Sequence, residues 1–152
     1  MPEWWIDKDK VLGSNNPTQT ELKKLRKKGF GVIISLLNEK KELPNYDVKV
    51  AEAEGFRRYN IPIEDFGEPS PKQFEEIIRI VKETPPSTKI CIHCAGGLGR
   101  TGTAGAAYWI EKGLSADEAI KRIRKSNPRA VETEKQEQSL HRFEEHKRQP
   151  SN

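Results

Sequence analysis

Short apolar runs alternate with amphipathic stretches that carry their own start and stop signals, and this alternation constrains the fold more than any other feature of the chain. The runs are Val11-Leu12-Gly13, the β-branched Val32-Ile33-Ile34-Ser35-Leu36-Leu37, Phe56 to Ile61, and Lys89 to His93. Each reads as a strand, and the second and fourth are apolar enough to be covered on both faces. Between them, Thr18 with Glu21 makes a capping box for a helix through Lys28, ended by Gly29. A second helix fills about Asp47 to Glu54 and stops at Gly55. Ser70-Pro71-Lys72-Gln73 opens a third, to about Lys82. Further helices are expected from about Thr101 to Lys112, from Ser115 to Ser126, and from about Glu132 into the 140s. The pattern predicts one α/β domain over residues 1–152, with a central, mostly parallel sheet of four to five strands flanked by helices. Functional loops then belong at the carboxyl edge of the sheet.

Composition removes several alternatives. Two cysteines cannot make a disulfide framework, and no apolar stretch approaches the roughly 18 residues of a membrane helix. The start, Met-Pro-Glu-Trp-Trp-Ile-Asp, lacks the basic and apolar regions of a signal peptide, so a soluble cytoplasmic domain is expected. The net charge is +4, with 27 basic residues interspersed among 23 acidic ones. That balance favours anionic ligands without the basic block of a nucleic-acid binder.

The chemistry concentrates in Ile90-Cys91-Ile92-His93-Cys94-Ala95-Gly96-Gly97-Leu98-Gly99-Arg100-Thr101-Gly102. A buried strand leads through a small-residue loop into a helix N-terminus, where unpaired amides and the helix dipole favour an anion. A Walker A loop would need Gly where Cys94 stands and Lys where Arg100 stands. A dinucleotide fingerprint is matched by Gly97-x-Gly99-x-x-Gly102. The acid expected about 20 residues on falls at Asp117-Glu118, inside a helix-capping box rather than at a strand end. The third reading assigns every residue a task. Cys94 is a thiolate nucleophile, its pKa expected in the range of about 3.5–7.5 of activated cysteines. Amides of Ala95, Gly96, Gly97, Leu98 and Gly99 bind phosphoryl oxygens, and Arg100 closes the ring with a bidentate fork.

His93-Cys94-x5-Arg100-Thr101 resembles the H-C-x5-R-[ST] signature of the protein tyrosine phosphatase superfamily, and the chain is most similar to its small atypical dual-specificity phosphatases, VH1-like and archaeal. The likeness extends to Ile61-Pro62-Ile63-Glu64-Asp65-Phe66 with Pro69, similar to the family's acid loop. Val131 to Glu137 is similar to its glutamine-bearing segment, so the resemblance covers about Val11 to Phe143. It implies a cysteine-based phosphatase fold and hydrolysis of phosphotyrosine, with phosphoserine and phosphothreonine, through a cysteinyl-phosphate. No metal or other cofactor is implied.

The expected roles follow. Cys94 attacks phosphorus and Arg100 clamps the phosphate. Asp65 is the general acid, with Glu64 the adjacent candidate and Glu68 nearby. Thr101 donates its hydroxyl to the departing sulfur. By resemblance, His93 orients the loop and Gln136 orients the hydrolytic water, Gln138 being the off-register alternative. Cys91 completes a C-x-x-C pair, but in an extended strand its Cα would lie about 10 Å from that of Cys94, beyond the roughly 7 Å limit of a disulfide. A structural role is therefore preferred over a redox one. A zinc site on Cys91, His93 and Cys94 finds no fourth ligand, since His141 and His146 lie far along a polar helix. The expected partner is a phosphorylated protein or peptide, with phosphate or vanadate-like anions in the loop, no nucleic acid, no membrane, and a monomeric protein. Phosphorylated metabolites, phosphoinositides, and phosphate binding without turnover are the alternatives.

Overall fold

The computed structural model describes residues 3–149. In chain order the elements are β1 (Glu3–Asp7), β2 (Val11–Ser14), α1 (Gln19–Lys27), β3 (Phe30–Ser35), α2 (Val48–Ala53), β4 (Arg57–Asn60), α3 (Pro71–Glu83), β5 (Lys89–His93), α4 (Gly99–Glu111), α5 (Ala116–Ser126) and α6 (Glu134–Arg148). The five strands form one sheet in the order β1-β2-β5-β3-β4. β2, β5, β3 and β4 run parallel, and β1 pairs antiparallel with β2 at the edge. The expected mostly parallel sheet is therefore present, with an antiparallel edge strand that the sequence reading did not contain.

Strand alternation divides the core into two layers. Val32, Ile34, Ile90 and Ile92 point to one face, packed with α3 to α6, while Leu12, Ile33 and Cys91 point to the other, under α1 and α2. α4 is buried from Gly99 to Ile110, as a helix apolar on all sides must be. Its glycines permit close approach. A Cβ on Gly102 would lie 2.8 Å from the Ala130 side chain and the Val131 amide. Several boundaries differ from expectation: α4 starts at Gly99 rather than about Thr101, β3 starts at Phe30 rather than Val32, and β4 spans only Arg57–Asn60. β3 ends at Ser35, so buried Leu36 and Leu37 begin the following loop instead of ending the strand. α6 starts at Glu134 because Val131, at φ 63°, reverses the chain and leaves Thr133 as N-cap.

The parallel strands deliver their carboxyl ends to one edge. The loops after β2, β3, β4 and β5 gather there around the N-terminus of α4.

Candidate active site

The five other helices begin with a side-chain cap from Thr18, Asp47, Ser70, Ser115 or Thr133. α4 does not: Leu98 occupies its N-cap position without a side-chain hydrogen bond. The first-turn amides of α4 are thus left without a side-chain acceptor at the site where Cys94-x5-Arg100 wraps them. Cys94 is buried at the base of the loop. Its Sγ accepts hydrogen bonds from the Gly97 amide at 3.2 Å and the Thr101 hydroxyl at 3.1 Å. The loop's carbonyls turn outward. Cys94 O meets His93 Nδ1 at 3.3 Å, Ala95 O accepts from the Asn16 amide at 3.1 Å, and Leu98 O accepts from the Gly102 amide at 2.9 Å. Gly97, at φ 78°, adopts a conformation that only glycine takes without strain.

Arg100, in the first turn of α4, is almost wholly buried. Its Nη1 and Nη2 bind the two carboxylate oxygens of Glu42 at 2.7 and 2.9 Å, and Nη1 also reaches Ile63 O at 2.9 Å. Asp65 joins the same guanidinium, its Oδ1 lying 3.3 Å from Nη2. Glu64, the neighbouring candidate, instead pairs with Lys41 at 3.1 Å, away from Arg100. The hydrogen bond from Arg100 is the main reason that the Glu42 carboxyl is held below its ordinary pKa. Burial opposes the charge of Arg100, but Glu42, Cys94 and Asp65 together more than offset it.

His93 is buried between the loop and a polar chain. Arg58 Nε donates to Tyr46 Oη at 2.8 Å, and Tyr46 Oη lies 2.8 Å from His93 Nε2. Because an arginine only donates, the Tyr46 hydroxyl is left to donate to Nε2, and the imidazole proton falls on Nδ1, facing Cys94 O. Burial lowers the His93 pKa to about 4, so the ring is neutral at ordinary pH. Burial likewise pushes Tyr46 up to about 12.

Gln136 is also buried at this edge. Its Oε1 accepts from the amides of Glu132 and Thr133, and its Nε2 donates to Gly67 O at 3.0 Å. The side chain lies over Gly99, where a Cβ would come within 3.0 Å of Nε2. Gln138 is exposed and bonds to Glu134. Cys91 faces the opposite layer from the Cys94–Arg100 loop, 3.4 Å from Ser14 Oγ, and burial raises its thiol pKa to about 12. Among the described residues, no group of three or more His, Cys, Asp or Glu could hold a metal ion, and no helix is long and apolar enough to cross a membrane.

The structure thus brings Cys94, Arg100, Asp65, Thr101, His93 and Gln136 to one edge. Sequence reasoning missed Glu42, Tyr46 and Arg58. No local motif marks them, and only the fold returns the β3–α2 loop to Arg100.

Residues 9–114 match the family model described as Tc-R-P: Polymorphic toxin system, DSP-PTPase phosphatase. The chain belongs to this DSP-PTPase phosphatase family. Its place is in the protein tyrosine phosphatase superfamily, among the relatives of the atypical dual-specificity phosphatases. Tk-PTP, solved in its active form, is 37% identical, with a TM-score of 0.85 over 93% of this chain and 95% of Tk-PTP. Human protein tyrosine phosphatase type IVA 3 is 27% identical over 129 residues, 80% of this chain and 72% of that protein. Coverage is much smaller for the protein tyrosine phosphatase domain-containing protein 1 of Danio rerio, of which the matched segment spans only 11%. PTPMT1 in complex with PI(5)P shares the fold, with a TM-score of 0.85 over 95% of each chain at 20% identity.

Proposed function

We propose that this phosphatase acts on phosphorylated proteins, cleaving phosphotyrosine and, with it, phosphoserine and phosphothreonine, by a two-step mechanism through Cys94. The phosphate sits among the loop amides, with Arg100 presenting the edge of its guanidinium not held by Glu42. The Cys94 thiolate attacks phosphorus as the P–O bond to the leaving group breaks, and Asp65 gives its proton to that oxygen. A water, oriented by Gln136 at the edge of Gly99, then attacks the cysteinyl-phosphate and returns a proton to Asp65. The S–P bond breaks and inorganic phosphate is released. Hydrogen bonds from Thr101 and the Gly97 amide stabilise the sulfur as it leaves. His93 stays neutral and holds Cys94 O, which keeps the loop in shape.

The pairing of Asp65 with Arg100 at 3.3 Å carries this reading, because it puts an acid beside the phosphate clamp and singles it out from Glu64. The charge around the loop supports a substrate with one phosphate. Residues 95–99 contain no Lys or His, and Glu42, Glu64 and Asp65 line the adjoining 210 Å³ cleft with Lys41 and Asn38. A polyanionic phosphoinositide, the ligand of PTPMT1, would meet those carboxylates.

The test is turnover of an aryl phosphate in EDTA, followed by a phosphotyrosine peptide, a phosphoserine peptide and PI(5)P. Expected are metal-independent turnover blocked by vanadate, loss in Cys94→Ser, and preference for the phosphotyrosine peptide. Vanadate binding without turnover would leave only a phosphate-binding module, and a preference for PI(5)P would replace the protein substrate.

A further inference from the structure

The anion cradle exists only if the loop's peptide units keep their N–H groups inward, and a donor on the outer side of a carbonyl holds its peptide that way. The carbonyls of Cys94, Ala95, Leu98 and Gly99 find theirs in His93, Asn16, Gly102 and Thr103. These donors belong to β5, to α4, or to the segment directly after β2. Gly97 is different. Its carbonyl accepts from the indole Nε1 of Trp4, 2.9 Å away and buried, reaching across from edge strand β1.

Peptide planarity gives this bond its leverage. The N–H of Leu98 points opposite to the carbonyl of Gly97, so a donor that draws the carbonyl outward aims the Leu98 amide inward. Gly97 is also the left-handed residue of the loop. Its backbone is pressed on the end of β2, where a Cβ would lie 2.5 Å from the Asn15 amide. Its own N–H reaches the Cys94 sulfur. The indole has room because its partner in the β1–β2 register is Gly13. A Cβ there would come within 3.0 Å of both Trp4 Cε2 and Thr101 Cγ2. Trp4 therefore covers Gly13 beside the threonine whose hydroxyl also reaches the sulfur.

We propose that Trp4 is a positioning residue of the phosphate loop: its indole N–H fixes the Gly97–Leu98 peptide, which makes β1 part of the active-site scaffold. The inference rests on the loop being the phosphate cradle, but the bracing can be read without turnover. Trp5 and Trp109 provide controls. Trp5 stacks on Phe30, in the other layer, and Trp109 Nε1 donates to Ile6 O at 2.9 Å, away from the loop.

The experiment compares wild type, Trp4→Phe and Trp5→Phe by amide hydrogen exchange over residues 94–100 and by orthovanadate affinity. The wild-type indole N–H resonances are followed during the same titration. Expected is loop exchange faster in Trp4→Phe than in the other two proteins, with vanadate bound about five- to tenfold more weakly, the worth of one net hydrogen bond. The wild-type Trp4 indole resonance should shift with vanadate while that of Trp109 does not. Should Trp4→Phe fold poorly, the wild-type resonances alone decide. Loop exchange unchanged in Trp4→Phe, equal loosening in Trp5→Phe, or a Trp4 resonance indifferent to bound vanadate would overturn the inference. If wild type binds no vanadate, the phosphatase reading fails, and the exchange comparison still decides whether Trp4 braces the loop.

Discussion

Two carboxylates share the Arg100 guanidinium, and their different holds predict different behaviour. Glu42 binds both terminal nitrogens at hydrogen-bond distance, whereas Asp65 touches one at 3.3 Å and its side chain is more than half exposed. The first arrangement suits a fixed support and the second an acid that can move to a leaving group. Asp65→Asn should lower kcat by about 10²–10³, with a larger loss for alkyl than for aryl phosphates, because a poor leaving group needs the proton more. Glu64→Gln should stay within about twofold of wild type, since an exposed pair with Lys41 contributes little. Steady-state kinetics with both substrate types distinguishes them. Thr101→Val keeps the volume but removes the hydroxyl from the sulfur. A hydrogen bond to a charged group is worth more than a neutral one, so the second step should slow by about tenfold or more and phosphoenzyme should accumulate, which rapid quenching would detect. The residues of the loop were legible because their chemistry is contiguous in sequence. Nothing in Lys40-Lys41-Glu42-Leu43 distinguishes the glutamate that binds the clamp.

The loop that carries Asp65, the proposed acid, is held by the start of another element. Gln136 donates to Gly67 O, Thr133 Oγ1 donates to Phe66 O at 3.2 Å, and Phe66 itself is turned to φ 63°. The same Gln136 closes the capping box of α6. Gln136→Ala should therefore cost about 1 kcal/mol of stability, typical of a lost cap, and release the acid loop. Its kcat defect should resemble that of Asp65→Asn in favouring aryl over alkyl phosphates, on top of slower hydrolysis of the intermediate. A Gln136→Ala protein with wild-type stability and wild-type leaving-group dependence would contradict that tether. At this scale the helices were easiest to read, because capping boxes such as Ser70–Gln73 and Ser115–Glu118 are local. β1 was not legible. Its alternation covers five residues and is interrupted by a bulge between Trp5 and Asp7, so it becomes recognisable only once β2 is beside it. Gln136 was visible through the likeness of residues 131–137 to the family's segment, but neither its Thr133 capping box nor the reversal at Val131 that shifts the start of α6 was.

Across the whole molecule, a buried neutral histidine makes the fold sensitive to acid. The native pKa of His93 is lowered to about 4 from 6.5, so below pH 6.5 the unfolded chain takes up a proton that the native state refuses. Its contribution to stability is complete above pH 6.5 and is lost as pH falls towards 4. Between pH 6.5 and 4.5 the loss should be about 2 kcal/mol. Glu42 acts in the same direction, but its lowered native pKa confines its loss to pH below its usual 4.5. Denaturant unfolding at the two pH values would read the difference. His93→Asn, less stable throughout, should show a flatter dependence in that window. An equally steep acid limb in His93→Asn would assign the sensitivity elsewhere.

If phosphate passes through the sulfur of Cys94, the cysteinyl-phosphate can be caught on the protein. A phosphotyrosine peptide would be mixed with wild type, Thr101→Val and Cys94→Ser, quenched in acid within the first turnovers, and the intact proteins and their peptides weighed by mass spectrometry. Expected are one added phosphoryl group on Cys94 in wild type, more of it in Thr101→Val, and none in Cys94→Ser. A phosphoryl group on another side chain, or turnover that persists in Cys94→Ser, would contradict passage through Cys94.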